Sequence, residues 1–258
     1  MTDVLPSRRR IGAEVLIVLG LSLGASAAYS IVSLANKLTR EQALSQQTTS
    51  INNSLSERPT FDLIYQLMAV FFDLVPVALV AFVLWQASRP HLARLGIDFT
   101  RPGRDSLTGV GLALLIGIGG IGVYLGSVAI GINTAVNPTA LDSYWWTTPV
   151  LILRAIDAGV AEEVIVIGYL FARLRDLGWG RWQIIIASAL LRGMYHLYQG
   201  FGAFIGNVIM GLLFGWLYTR TGRVLPLVVA HVLIDAAIFV GYPWAAATFP
   251  ELLGLPAA

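Results

Sequence analysis

Nine ionisable side chains fall inside apolar stretches of this sequence: Asp73, Arg154, Asp157, Glu162, Glu163, Arg192, His196, His231 and Asp235. A charge near the centre of a bilayer costs about 2.5–3.5 kcal/mol on insertion scales, so each of these residues calls for a reason. All but Asp73 lie in the C-terminal half. Glu162 with His196 and His231 has the make-up of a water-activating site. A carboxylate in a low-dielectric cavity takes a proton from water, and imidazoles orient that water or stabilise an oxyanion. The competing account is structural, because Glu–Arg and His–Asp pairs also hold helices together within a membrane. That account is preferred for Asp73, beside Phe71 and Phe72, and His91 reads as a surface residue.

These residues need elements to position them. Of 258 residues, 56% are hydrophobic and 12% charged, and the mean hydropathy is +0.72. Soluble domains carry roughly 25% charged residues, so an ordinary soluble globule and a disordered chain are both excluded. The fold class expected is an all-α polytopic membrane protein. Apolar stretches fall at about 11–35, 63–87, 107–133, 147–172, 182–199, 201–219 and 224–243. At roughly 20 apolar residues per span they predict about seven transmembrane helices, with the tail after Pro243 as a partial eighth. Residues 1–140 read as scaffold helices, 147–243 as a catalytic core of four helices, and 244–258 as a short tail. The 38–61 segment reads as an exposed polar loop, and Trp145 and Trp146 as interfacial anchors.

Threading from an inside N-terminus after Arg8, Arg9 and Arg10 puts 12 of the 17 basic residues inside. Only Lys37, Arg40 and Arg58 then fall outside, as the positive-inside rule favours. The first span has a signal-peptide look near Ala25-Ser26-Ala27, but the apolar run continues past it and holds Glu14, which suits an uncleaved anchor. Glu162 and His196 are equidistant from Trp179 in the turn Gly178-Trp179-Gly180, which predicts matching depth on neighbouring helices. Asp235 follows His231 by four residues, one turn along the same face. At 1.5 Å per residue, convergence is expected about 10–20 Å below the cytoplasmic surface, with access from the cytoplasm or the inner leaflet. Asn207 sits among Gly202, Gly206, Gly211 and Gly215, a helix-packing pattern, and is assigned a supporting role.

Several chemistries are excluded by absence. There is no Cys, hence no thiolate nucleophile and no Cys-ligated zinc. No H-E-x-x-H, G-x-S-x-G, Walker or dinucleotide-binding pattern occurs. The scattered arginines argue against nucleic acid as a partner. No internal repeat points to a transporter.

Three segments carry a resemblance. Ala161-Glu162-Glu163-Val164-Ile165-Val166-Ile167-Gly168-Tyr169-Leu170-Phe171 resembles the Glu-Glu signature of the CAAX prenyl endopeptidase and bacteriocin-processing (CPBP, or Abi) family. Leu190-Leu191-Arg192-Gly193-Met194-Tyr195-His196 is similar to its second signature, and His231-Val232-Leu233-Ile234-Asp235 to its third. They stand in the family's order and span about residues 147–243.

The resemblance implies an intramembrane endopeptidase acting on membrane-embedded or lipidated protein or peptide substrates. It implies catalytic roles for Glu162 and His196 in activating water, and for His231 and Asp235 at the oxyanion. Glu163 and Arg192 would support them. A metal-free glutamate mechanism fits these residues better than the metal dependence often ascribed to the family. The spacing leaves a divalent metal such as zinc open, held by Glu162, His196 and His231. Two positions depart from the family pattern: Ile167 stands where Arg is usual, and Arg192 where Phe is usual. Arg192 is placed to compensate by pairing with Glu163 across the hairpin. An ionised Asp235 only accepts hydrogen bonds, so it can orient His231 but can donate to an oxyanion only if protonated. The rival readings are a non-proteolytic scaffold or regulator of the same fold, and a proton-coupled transporter. The family and the ratio of 16 Arg to one Lys suggest a bacterial plasma-membrane protein with a cytoplasmic N-terminus.

Overall fold

A computed structural model describes residues 7–85 and 95–248. Arg89, His91 and Arg94, and the tail from residue 249 onward, lie outside the described residues. The chain is mostly helical. α1 (Arg8–Gly20) starts where the Ser7 hydroxyl accepts the Arg10 N–H, and is followed by α2 (Leu23–Leu38). The two are bent by 54° about Leu21 and Ser22, so the first apolar stretch is broken in two, as in a broken span or a re-entrant loop. Prolines in the first turn open α3 (Pro59–Asp73), α4 (Val75–Val83) and α5 (Pro102–Ala129). The missing proline N–H costs nothing there.

The C-terminal half begins with α6 (Thr147–Glu162). It runs without a break into a π-helical stretch, Glu163–Tyr169, and α7 (Leu170–Asp176). α8 (Arg181–Tyr195) and α9 (Phe201–Thr221) follow as an antiparallel pair. The last run is α10 (Leu225–Ala236), a π-helical stretch at Ala237–Gly241 and α11 (Tyr242–Thr248).

Among the described residues, four continuous runs are long and apolar enough to cross a membrane: Pro59–Val83, Pro102–Ala129, Phe201–Thr221 and Leu225–Thr248. Counting the bent α1–α2 pair as one span makes five. Length and composition thus support four to five of the seven spans expected. The other two stretches are helical, but Thr147–Asp176 carries Arg154, Asp157, Glu162 and Glu163, and Arg181–Tyr195 has 15 residues. The C-terminal residues through Thr248 continue the last span with no separate eighth helix among the described residues.

One part of the all-α expectation is corrected. β1 (Thr48–Asn53) and β2 (Ala135–Ala140) form a two-stranded parallel sheet, registered Thr48 to Ala135 through Asn53 to Ala140. β1 lies inside the segment read as an exposed loop. The sheet sits at the end of the molecule where α8 turns into α9, since Thr134 N–H donates to the Gln199 carbonyl. The opposite end holds the turns at Gly178 and Gly222 and the Arg223–Asp98–Asp105 cluster.

The core is built from Ile165, Val166, Ile167, Phe171, Ile185, Phe214 and Leu227, all buried. Helices close on it through glycine. A Cβ on Gly193 would lie 2.6 Å from Val208 of α9, and one on Gly159 2.7 Å from Val232 of α10. Close approach of this kind is what small residues allow at membrane helix crossings.

Candidate active site

Glu162 ends α6, and the π-helical stretch begins at Glu163. Wide helical turns of this kind are common at functional sites. Glu163 is completely buried, while Glu162 keeps 9% of its surface and lines a cavity of about 440 Å³. Arg192, also completely buried, comes from α8. It donates to Glu163 Oε1 at 2.6 Å and to Glu162 Oε2 at 3.4 Å, and its guanidinium lies 5.6 Å from the Phe214 ring centroid. The expected pairing across the hairpin is present. Ile167, where the family pattern has Arg, is in the apolar core.

The two imidazoles approach Glu162 from different helices. His196 caps the C-terminus of α8. A 3-10 turn, Leu197–Gln199, then leads to Gly200 at φ +123°, where a Cβ would meet Asn133 at 2.7 Å. His196 Nε2 lies 3.9 Å from Glu162 Oε2 and is buried without a hydrogen-bond partner among the described residues. His231, one and a half turns into α10, donates from Nδ1 to Glu163 Oε1 at 2.7 Å. Its Nε2 lies 3.9 Å from Glu162 Oε2 and 3.6 Å from Asp235 Oδ2. Glu162, Glu163, Arg192, His196, His231 and Asp235 are thus all brought together. Asn207 instead donates to the Ala203 carbonyl of its own helix at 3.0 Å, an intrahelical contact rather than a bond into the cluster.

Tyr195 was not singled out from the sequence. Its hydroxyl donates to Glu162 Oε2 at 2.6 Å. The available signal is its position: beside His196 and three residues after Arg192, it shares their helical turn. The N-terminal half also reaches the site. Ser30 Oγ donates to the Tyr195 carbonyl at 2.8 Å, and the buried Lys37 donates to the Tyr198 carbonyl and to Thr49 Oγ1.

The cavity beside Glu162 is walled by Ser22 and Ser26 at the α1–α2 break, by Ile51, Asn52 and Asn53 of β1, and by Asp157. It therefore extends from Glu162 toward the sheet end. That corrects the expectation of access from the arginine-rich side, because the depth argument located the residues but not the opening. Arg154 bonds Asp73 at 3.0 Å and Gln66 at 3.1 Å along the same wall.

Glu162, His196 and His231 meet, but not as a zinc ion would hold them. Ligands around tetrahedral zinc stand about 3.3 Å apart for bonds near 2.0 Å, whereas both Nε2 atoms are 3.9 Å from Glu162 Oε2. That oxygen already accepts from Tyr195 and Arg192. No group of three His, Cys, Asp or Glu among the described residues has a metal-binding arrangement.

Residues 144–237 match the family model described as type II CAAX prenyl endopeptidase Rce1-like. The match runs from just before α6 through α10 and contains every residue of the cluster. In the same comparisons the chain matches no curated protein and no solved structure.

Proposed function

We infer that this Rce1-like integral membrane protein is an intramembrane endopeptidase that cuts membrane-embedded or lipidated protein or peptide substrates. The observation that carries this reading is the convergence of two imidazole Nε2 atoms, each 3.9 Å from the same oxygen of Glu162, a residue that lines a cavity. At 3.9 Å the imidazoles stand beyond direct hydrogen-bond reach of that oxygen, and a small widening admits a water between them.

Glu162 takes a proton from that water, and the hydroxide attacks the scissile carbonyl. Glu162 then returns the proton to the leaving nitrogen, so hydrolysis balances without another reactant. Tyr195 and Arg192 orient the carboxylate. His196 offers its partnerless Nε2 to the water or the oxyanion. His231 is held at Nδ1 by Glu163 and flanked at Nε2 by Asp235. The reading is metal-free. It includes seven spans, a cytoplasmic N-terminus and a bacterial plasma membrane.

The test is cleavage of a peptide library by reconstituted wild type and Glu162→Gln, with and without chelator. Loss of a general base costs roughly 10²–10⁴-fold, so the variant should fall by that factor and chelator should change nothing. Cleavage surviving in Glu162→Gln overturns the mechanism. Cleavage abolished by chelator makes the site metallic. A wild type that cuts nothing favours the scaffold or regulator reading, for which Ile167 in place of Arg is the specific observation.

A further inference from the structure

The two-stranded sheet has two outer edges, and only one is open. In a parallel pair the backbone groups of alternate residues face the partner strand. The Ala135 N–H donates to the Gln47 carbonyl, which fixes the parity. The backbone groups of Thr49, Ile51 and Asn53 face β2, and those of Thr48, Ser50 and Asn52 face the other way.

The outer edge of β2 is closed. Its Val136 N–H is taken by the Tyr124 hydroxyl at 3.0 Å, and Pro138 has no N–H to offer. On the outer edge of β1, no described hydrogen bond claims the N–H of Thr48, Ser50 or Asn52.

The C-terminal end of that open edge, at Asn52, borders the cavity. Successive side chains of a strand point to opposite faces, yet Ile51, Asn52 and Asn53 all line the cavity that holds Glu162. Three consecutive residues of both faces reach one cavity where it meets the end of the strand, and Leu55 just beyond β1 lines it as well. An exposed edge is a template for a further strand, with main-chain hydrogen bonds supplying affinity. We propose that β1 binds the substrate polypeptide as an added third strand, unwinding it and leading it along the cavity to Glu162. The occupant is an extended segment of a membrane-associated chain, recognised through its backbone. The proposal rests on the protease reading, which supplies the substrate.

The absence of Cys makes the test clean. Full-length Glu162→Gln protein carrying Asn53→Cys is reconstituted in vesicles. It is presented with a 20-residue Leu/Ala peptide with a polar flank, its cysteine moved one position at a time. Disulfide yield should rise and fall several-fold with a period of two residues, and backbone N-methylation of the peptide should abolish it. A period of three to four residues, meaning a helical substrate, overturns the proposal. So does a yield no higher than that of a control with the cysteine at the exposed Leu114 of α5. Cleavage by the wild type is read separately. Strand-periodic crosslinking without cleavage refutes the protease and leaves the binding strand. Cleavage without it does the reverse.

Discussion

The Arg192–Glu163 pair allows a quantitative test of what holds the cluster together. Both side chains are completely buried and bonded at 2.6 Å. Removing one partner of a buried ion pair costs about 3–5 kcal/mol, because the other charge is left uncompensated. Arg192→Leu strands Glu163 with His231 and leaves Glu162 with the Tyr195 hydroxyl. For a chain of this size about 1 kcal/mol moves the unfolding midpoint by 2–4 °C, so Arg192→Leu should lower it by roughly 6–20 °C. Glu163→Gln keeps the shape and removes a charge-assisted hydrogen bond, costing about 1.5–3 kcal/mol. If the pair is direct, the double variant should be more stable than the summed singles by about 2–3 kcal/mol, at the upper end of measured couplings. Rescue stays incomplete because Arg192 also touches Glu162 at 3.4 Å. Thermal unfolding in detergent, followed by fluorescence of the seven Trp, measures all four proteins. Losses that add to within about 0.5 kcal/mol would refute the argument.

Two further outcomes are expected. Tyr195→Phe removes one hydrogen bond to Glu162 and no packing. At about 1.5–3 kcal/mol for a bond to a charged group, the unfolding midpoint should fall by roughly 3–12 °C and cleavage should fall with the loss of carboxylate orientation; wild-type rates would show that Tyr195 does not orient the carboxylate. Outside the spans, the hydrogen bond from Arg223, with those from Thr100, holds the Asp98 carboxyl below the usual carboxylate range. A depressed folded value stabilises above the unfolded value of about 4 and is lost as pH falls below it. Acid should therefore lower the midpoint more in wild type than in Asp98→Asn, with the two parallel at neutral pH, and midpoint–pH curves of equal slope below pH 4 would contradict this.

Much of the cluster was readable because membranes make charge rare. Equal distance from Trp179 placed Glu162 and His196 together, and a four-residue step placed Asp235 beside His231. Tyr195 was missed because a tyrosine is not expensive in a span, so nothing marks it as functional. The sheet was missed because Thr48–Asn53 and Ala135–Ala140 are short and polar, without apolar alternation, and their pairing is a long-range event. The π-helical stretch left no signature either, since Val164–Ile167 suits any buried helix. The direction of the cavity was misjudged because depth along a helix says nothing about which neighbouring helix bends away.

That bending sits far from the chemistry in the chain. The break at Leu21 and Ser22 is held by Ser22 Oγ donating to the Val18 carbonyl at 2.6 Å. It is tight enough that a Cβ on Gly24 would lie 2.7 Å from the Leu19 carbonyl oxygen. A straight helix through this point would carry its side chains elsewhere, and the wall formed by Leu21, Ser22, Leu23 and Ser26 would not exist. One wall of the room for a guest is therefore encoded in the half of the polypeptide that does not hold the reagents acting on it. A methyl group at Gly24, which has no part in proton transfer, would force this break to shift against Leu19, so the wall beside it can change while the acid–base apparatus stays as it is.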